Sequence, residues 1–188
     1  MADNQKVYSN KKILLHACCA ICSAYPISAL KDMGYTVIVY FYNPNIYPSS
    51  EYQKRLAAQK KLCDYYNCEL IIGDYEPETY YNFVKGYETE PEKGSRCDKC
   101  FELRLKKTAA KAKSLGIEEF TTSIVISPHK NYEKLTEIGQ NIATLNDLNY
   151  KAINFRKKDG FLKTNTISKE LNLYRQNYCG CKFAIKTD

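Results

Sequence analysis

Two short runs, Ile13–Ala17 and Thr36–Tyr42 (TVIVYFY), are apolar almost throughout rather than alternating, so each reads as a strand buried on both faces. Segments of helical length separate them from further runs of the same kind. That order commits the chain to a parallel sheet, because parallel neighbours need a long crossover between them. The spacing predicts a helix over Ala24–Met33, closed by Gly34, and a loop NPNIYPSSEY ending in Ser49 or Ser50 as an N-cap. The next helix carries Tyr52, Leu56, Gln59, Leu62, Cys63 and Tyr66 on one side and leads to a strand at Glu69–Gly73. A helix over Asp98–Leu115 presents Phe101, Leu105, Ala109, Ala112 and Leu115 inward and stops at Gly116. Phe120–Ile126 reads as another strand. Leu135, Ile138, Ile142, Leu145 and Leu148 form one helical stripe, Ala152–Phe155 a short strand, KKDG a turn, and Thr164–Leu173 a last helix.

The 188 residues suit one α/β domain over 1–188, a mostly parallel sheet flanked by helices, with neither a linker nor a repeat. The N-terminal residues MADNQKVYSNKK lack the apolar segment of a secretory signal, and no run is long enough to span a bilayer. The expectation is therefore a cytoplasmic protein without a membrane partner. In that reducing compartment, clustered cysteines serve metal or redox chemistry rather than static cross-links.

Seven of the nine cysteines fall into three short clusters: Cys18, Cys19 and Cys22 in HACCAIC, Cys97 and Cys100 in RCDKC, and Cys179 and Cys181 in YCGC. The first follows the first strand, at the carboxyl edge where open parallel sheets gather their ligands. Cys97-x-x-Cys100 stands at a helix start, where free N–H groups and the dipole favour thiolate, with Arg96 and Lys99 adding charge. Cys179-Gly180-Cys181 allows either a strained, easily reduced disulfide ring or two metal ligands. With only two histidines, a metal centre here is dominated by sulfur, which favours iron–sulfur chemistry over His-rich zinc. Cys63 and Cys68 read as small buried hydrophobes. His16 either touches the site or packs beneath it, and His129 reads as a surface residue. No glycine-rich phosphate cradle follows the first strand, which disfavours ATP-dependent chemistry.

A net charge of +7 and 17 tyrosines without tryptophan suit a polyanionic partner, though most of these tyrosines serve packing. Arg96, Arg104, Lys130, Arg156, Lys157, Lys158, Arg175 and Tyr178 are the expected contacts to phosphate and base. Tyr47 and Tyr174 offer stacking surfaces, and Tyr42 reads chiefly as core.

The blocks HACCAIC, FYNPNIYPSSEYQKR, PEKGSRCDKCFELRL, FTTSIVISPHKN and FRKKDGFLK…YRQNYCGC, in that order over a core of about residues 12–183, resemble the QueH-type epoxyqueuosine reductases. The resemblance implies a fold similar to nucleotide α-hydrolase-like (HUP or PP-loop-like) domains, with the phosphate loop replaced by cysteines. It also implies reduction of epoxyqueuosine to queuosine at the tRNA wobble position, with electrons from a donor that the sequence does not identify. By the same resemblance Cys18, Cys19, Cys97 and Cys100 ligate a [4Fe–4S] cluster, and Cys179 and Cys181 form a redox-active pair. Asp98 is then a supplementary ligand or proton carrier, and Cys22 a ligand for an additional mononuclear iron. Ile21 departs from the family, which usually has proline there. Two other readings use the same residues: a zinc-binding RNA module without redox activity, and an iron–sulfur enzyme that thiolates tRNA.

Overall fold

The computed structural model describes residues 11–185. Five strands form one sheet, in the spatial order β3-β2-β1-β4-β5, and every neighbouring pair is parallel. They are β1 (Lys12–His16), β2 (Thr36–Phe41), β3 (Glu69–Ile72), β4 (Glu119–Thr122) and β5 (Asn149–Tyr150). The helices between them are α1 (Ala20–Asp32), α2 (Ser49–Tyr66), α3 (Pro77–Phe83), α4 (Ser95–Ser114), α5 (Tyr132–Asn146) and α6 (Gly160–Glu170). Ile13, Leu14 and Leu15 are wholly buried, as their unbroken apolar run requires of a strand covered on both faces.

Strand order reverses at β1. The chain builds outward through β2 and β3, then returns to place β4 on the other side, with Leu14 level with Phe120 and His16 with Thr122. This reversal opens a crevice at the carboxyl ends of β1 and β4. Residues 18–22 and 123–126 both start at that edge.

Four expectations are corrected. The run Phe120–Ile126 is strand only to Thr122; Ser123–Ile126 winds into a 3-10 turn, capped by the Thr122 hydroxyl accepting from Ile124 N–H at 3.2 Å. Its β-branched composition suits a strand, but the local side-chain cap redirects the backbone. The last strand lies at Asn149–Tyr150 rather than Ala152–Phe155, because Ile153 N–H turns back to the Lys151 carbonyl at 2.9 Å and takes the chain off the sheet. Leu145 is 80% exposed and Leu115 44%, so neither belongs to the buried stripe of its helix. Helices α1, α4 and α6 begin earlier than expected, at Ala20, Ser95 and Gly160, and α6 stops at Glu170. The early starts matter for the site, because they place the cysteines in first turns.

Candidate metal and redox site

Cys19 is the N-cap of α1, in extended backbone, and its sulfur accepts the N–H of Cys22 at 3.4 Å. A thiol is an unusual cap; it works here because the helix N-terminus stabilises negative charge. The sulfurs of Cys18, Cys19 and Cys22 lie within 4.8 Å of one another, the one group of three metal-ligating side chains this compact among the described residues. Thiol hydrogen bonds from Cys18 and Cys22 hold Cys19 well below the usual thiol range. The donors move the other way: Cys18 rises to about 11 through its bond to Cys19, and Cys22 rises well above the ordinary value. Gln176 adds a further N–H to Cys19 at 2.9 Å. Ser123, on the 3-10 turn after β4, accepts from Cys18 N–H at 3.3 Å and places its hydroxyl 3.7 Å from the Cys18 sulfur. The three sulfurs are thus held from both sides of the crevice.

Cys97 and Cys100 occupy the first two turns of α4, behind the N-cap Gly94. Cys97 sulfur accepts Lys93 N–H at 3.2 Å, and both thiols are raised by burial, Cys100 to about 12. Cys179 and Cys181 both raise these two thiols further by charge repulsion. Arg104, one turn further along α4 and 5% exposed, links the two sets, since Cys100, Cys18 and Cys179 all act on its charge. It donates to the Cys100 carbonyl at 3.3 Å and to Asn43 Oδ1 at 3.3 Å, while Asn43 donates to Ala17 O at 2.9 Å. A buried guanidinium with no carboxylate partner there is suited to offset thiolate charge.

The C-terminal cysteines stand on a turn gripped from α2. Arg55 donates to the carbonyls of Cys179 and Tyr178, each at 3.1 Å, and pairs with Glu51 at 2.7 Å. Glu51 also accepts from the Tyr174 hydroxyl at 2.6 Å, and Gly180 O accepts Tyr47 N–H at 2.8 Å. Gly180 has φ +122°, and a Cβ there would meet Arg55 Nη1 at 2.9 Å, so this position needs glycine twice over. Lys130 Nζ lies 3.2 Å from Cys179 sulfur and 3.1 Å from Glu92. Burial opposes its charge, yet Cys179 and Glu92 together raise its pKa. Tyr80, 1% exposed, hydrogen-bonds Cys181 and is raised by burial and by Cys100.

These elements enclose a cavity of about 510 Å³, lined by the N-terminal trio, Cys179, Arg104 and Lys130 among others. Arg175 and Tyr178 also line it, Arg175 bonded to Asn165 and the Tyr178 hydroxyl to the Tyr47 carbonyl. His129 stands exposed at the rim. Arg96 is turned inward, 2% exposed, with its guanidinium on the carbonyls of Glu88 and Glu90 and over the Phe183 ring. Asp98 faces α5, where burial and Glu137 raise its carboxyl against the pull of Lys134. Its charged neighbours lie there rather than at the sulfurs. His16 packs beneath: Nε2 donates to Tyr42 O at 3.1 Å and Nδ1 accepts from Thr122 at 3.0 Å. Burial, then Arg104, lowers it to about 4 and keeps it neutral. Arg55, Glu51, Tyr80, Gln176 and Ser123 carry no cysteine-like signal in the sequence. Two opposite charges four residues apart on the buried stripe of α2 were the one available hint.

The donor set fits a thiophilic metal group. It is sulfur without carboxylate, largely buried, and supplied with backbone, amide and guanidinium N–H to balance negative charge.

Residues 13–187 match the family model described as epoxyqueuosine reductase QueH. Three curated relatives carry that same name. The Helicobacter pylori protein is 41% identical over 181 residues, which cover 93% of this chain and 49% of that one. The Streptococcus pyogenes protein is 37% identical, covering 93% and 70%, and the Thermotoga maritima protein 36%, covering 92% and 90%. The chain thus spans about half the length of the Helicobacter relative and nearly all of the Thermotoga one. Among solved structures, the U34-tRNA thiolase NcsA from Methanococcus maripaludis with its [4Fe-4S] cluster superposes with a TM-score of 0.61. At 15% identity, over 97% of this chain and 64% of that one, the likeness is one of fold.

Proposed function

The chain belongs to the epoxyqueuosine reductase QueH family, and from that membership we propose that it reduces epoxyqueuosine to queuosine in tRNA. The observation that carries the reading is that Arg104, on the crevice lined by Cys18, Cys19, Cys22 and Cys179, feels one sulfur from each cluster: Cys18, Cys100 and Cys179. Cys18, Cys19, Cys97 and Cys100 are the proposed ligands of a [4Fe–4S] cluster. Cys22, within 4.8 Å of Cys18 and Cys19, is available to a further iron. The bound cluster would supply single electrons and a Lewis-acidic iron.

The remaining steps belong to side chains. Converting an epoxide to an alkene consumes two electrons and two protons and releases one water. Closing Cys179 and Cys181 from dithiol to disulfide supplies both electrons and both protons. Lys130 donates to the Cys179 sulfur at 3.2 Å, Tyr80 orders Cys181, and Arg55 fixes the turn that holds both. Lys130 and Arg175, at the cavity, are the proposed phosphate contacts, and Tyr178 the base contact. Arg104, buried, serves instead as countercharge to the sulfurs.

Mass spectrometry of epoxyqueuosine-containing tRNA, after anaerobic incubation with reconstituted protein and a reductant, tests the proposal. Loss of one oxygen mass from the modified nucleoside supports it. Unchanged nucleoside with a fully loaded protein refutes it.

A further inference from the structure

Phe161 is the one exposed phenylalanine of the seven in the chain, 42% accessible. Among the exposed large apolar side chains of the described residues, it alone lines the cavity. Leu162 beside it is 66% accessible. Phe161 thus leaves an aromatic face open to water at the cavity, free for another molecule to cover.

The backbone is built to hold it there. Lys158 and Asp159 both adopt left-handed conformations, with φ of 55° and 60°. The next residue must be glycine, since a Cβ on Gly160 would lie 1.7 Å from the Phe155 carbonyl oxygen and 2.8 Å from Tyr25. Two strained residues and a close backbone contact are sustained only where the surroundings impose them, a pattern that clusters at ligand sites. Immediately behind, Thr164 ties α6 to α1 by donating to Ile21 O at 2.8 Å and accepting Tyr25 N–H at 3.1 Å. The ring is therefore presented from a rigid base.

Its surroundings select the occupant. Lys157 and Lys158 are exposed on the turn before α6, Lys163 is exposed near the start of α6 with its ammonium over the Tyr25 ring, and among the described residues none forms an ion pair. Arg175 lies exposed across the cavity lining. Asp159 and Glu92 are the opposing acids, and Glu92 is engaged by Lys130. An aromatic face framed by cations fits an unpaired nucleotide: the base stacks and the adjacent phosphates meet ammonium groups. A purely apolar protein segment would leave those lysines unmatched.

We propose that Phe161 is a stacking platform for the unpaired base adjoining the nucleotide held in the cavity, with Lys157 and Lys158 on the phosphates between them. The proposal rests on the tRNA reading above and assigns a second nucleotide position to the same site.

The test uses the full chain and a fluorescent anticodon stem-loop RNA without the modification, measured by anisotropy over a range of salt. Phe161→Ala should raise Kd about tenfold, Phe161→Trp should restore it, and Phe161→Leu should not, because leucine offers no π-face. The salt slope of Phe161→Ala should match the parent, whereas Lys157→Gln with Lys158→Gln should flatten it by about 0.7 for each phosphate left without its lysine. If Phe161→Ala binds as the parent does, or Phe161→Leu restores binding, the platform is overturned while the reductase reading stands. If the parent itself binds no RNA, both go.

Discussion

Gln176 Nε2 lies 2.9 Å from Cys19 sulfur, so side chains 157 positions apart share one hydrogen bond at the mouth of the sheet. The bond joins the C-terminal segment to the thiol whose pKa the hydrogen bonds from Cys18 and Cys22 lower. In metal-free protein, Gln176→Ala should move the alkylation profile of Cys19 to higher pH, read by mass spectrometry of labelled peptides. An unchanged profile would assign the lowered pKa to Cys18, Cys22 and the helix terminus alone.

Cys19→Ser and Cys97→Ser should each remove the brown absorbance of anaerobically purified protein and abolish reduction. Cys181→Ser should keep much of the iron and lose turnover. If Cys181→Ser also strips the iron, the division between metal ligands and redox pair fails.

Removing Arg55 alone strands the Glu51 carboxylate in a buried position, a loss of about 3–5 kcal/mol. Arg55→Met should show that loss in denaturant melts. Adding Glu51→Met should recover most of the stability, but not the turnover, because the carbonyls of residues 178 and 179 still lack their donor. Recovery of both would reduce the pair to a packing feature.

Glu119, at the start of β4 and far from the carboxyl edge, gives a pH dependence separate from the sulfur chemistry. Burial opposes its charge, but Lys11 at 2.5 Å, Lys151 at 2.8 Å and Tyr35 outweigh burial and lower its pKa from 4.5. Below 4.5 the unfolded chain takes up the proton first. This stabilisation is therefore complete above pH 4.5 and lost as pH falls through the lowered value. Melts across that range should show the decline in the parent and a flatter curve in Glu119→Gln.

Cys63→Ala should cost about 1 kcal/mol and leave reduction nearly intact. The thiol is 2% exposed and touches Gln59 Nε2 at 3.4 Å, away from the cavity lining. A folded but inactive variant would show that this sulfur belongs to the chemistry.

The sequence made β1, β2 and the position of the cysteine turn legible, because unbroken apolar runs admit one reading in a parallel sheet. It located every sulfur cluster, Cys22 with Cys18 and Cys19 included, but not the geometry that closes them: α1 starts at Ala20, behind a thiol cap that no propensity favours. The strand ends were lost for a related reason. Thr122 and Ser123 look like strand residues until their hydroxyls find Ile124 N–H and Cys18. The Arg55–Glu51 grip was out of reach for another reason: its acceptors are carbonyls more than a hundred residues away, and a main-chain oxygen leaves no mark in a sequence.

From Tyr174 to Ile185 the chain contributes no strand to the sheet, and its one helical element is the 3-10 turn Lys182–Ala184. Two of the sulfurs ride on this appended stretch, whereas Cys18, Cys19 and Cys22 are rooted in the crossover from β1. A single backbone cut after Leu173 would accordingly leave every ladder bond in place, with Cys179 and Cys181 held only by loop and side-chain bonds such as those of Arg55 and Gln176. On the proposed chemistry, loss of turnover and loss of the sheet are separable events.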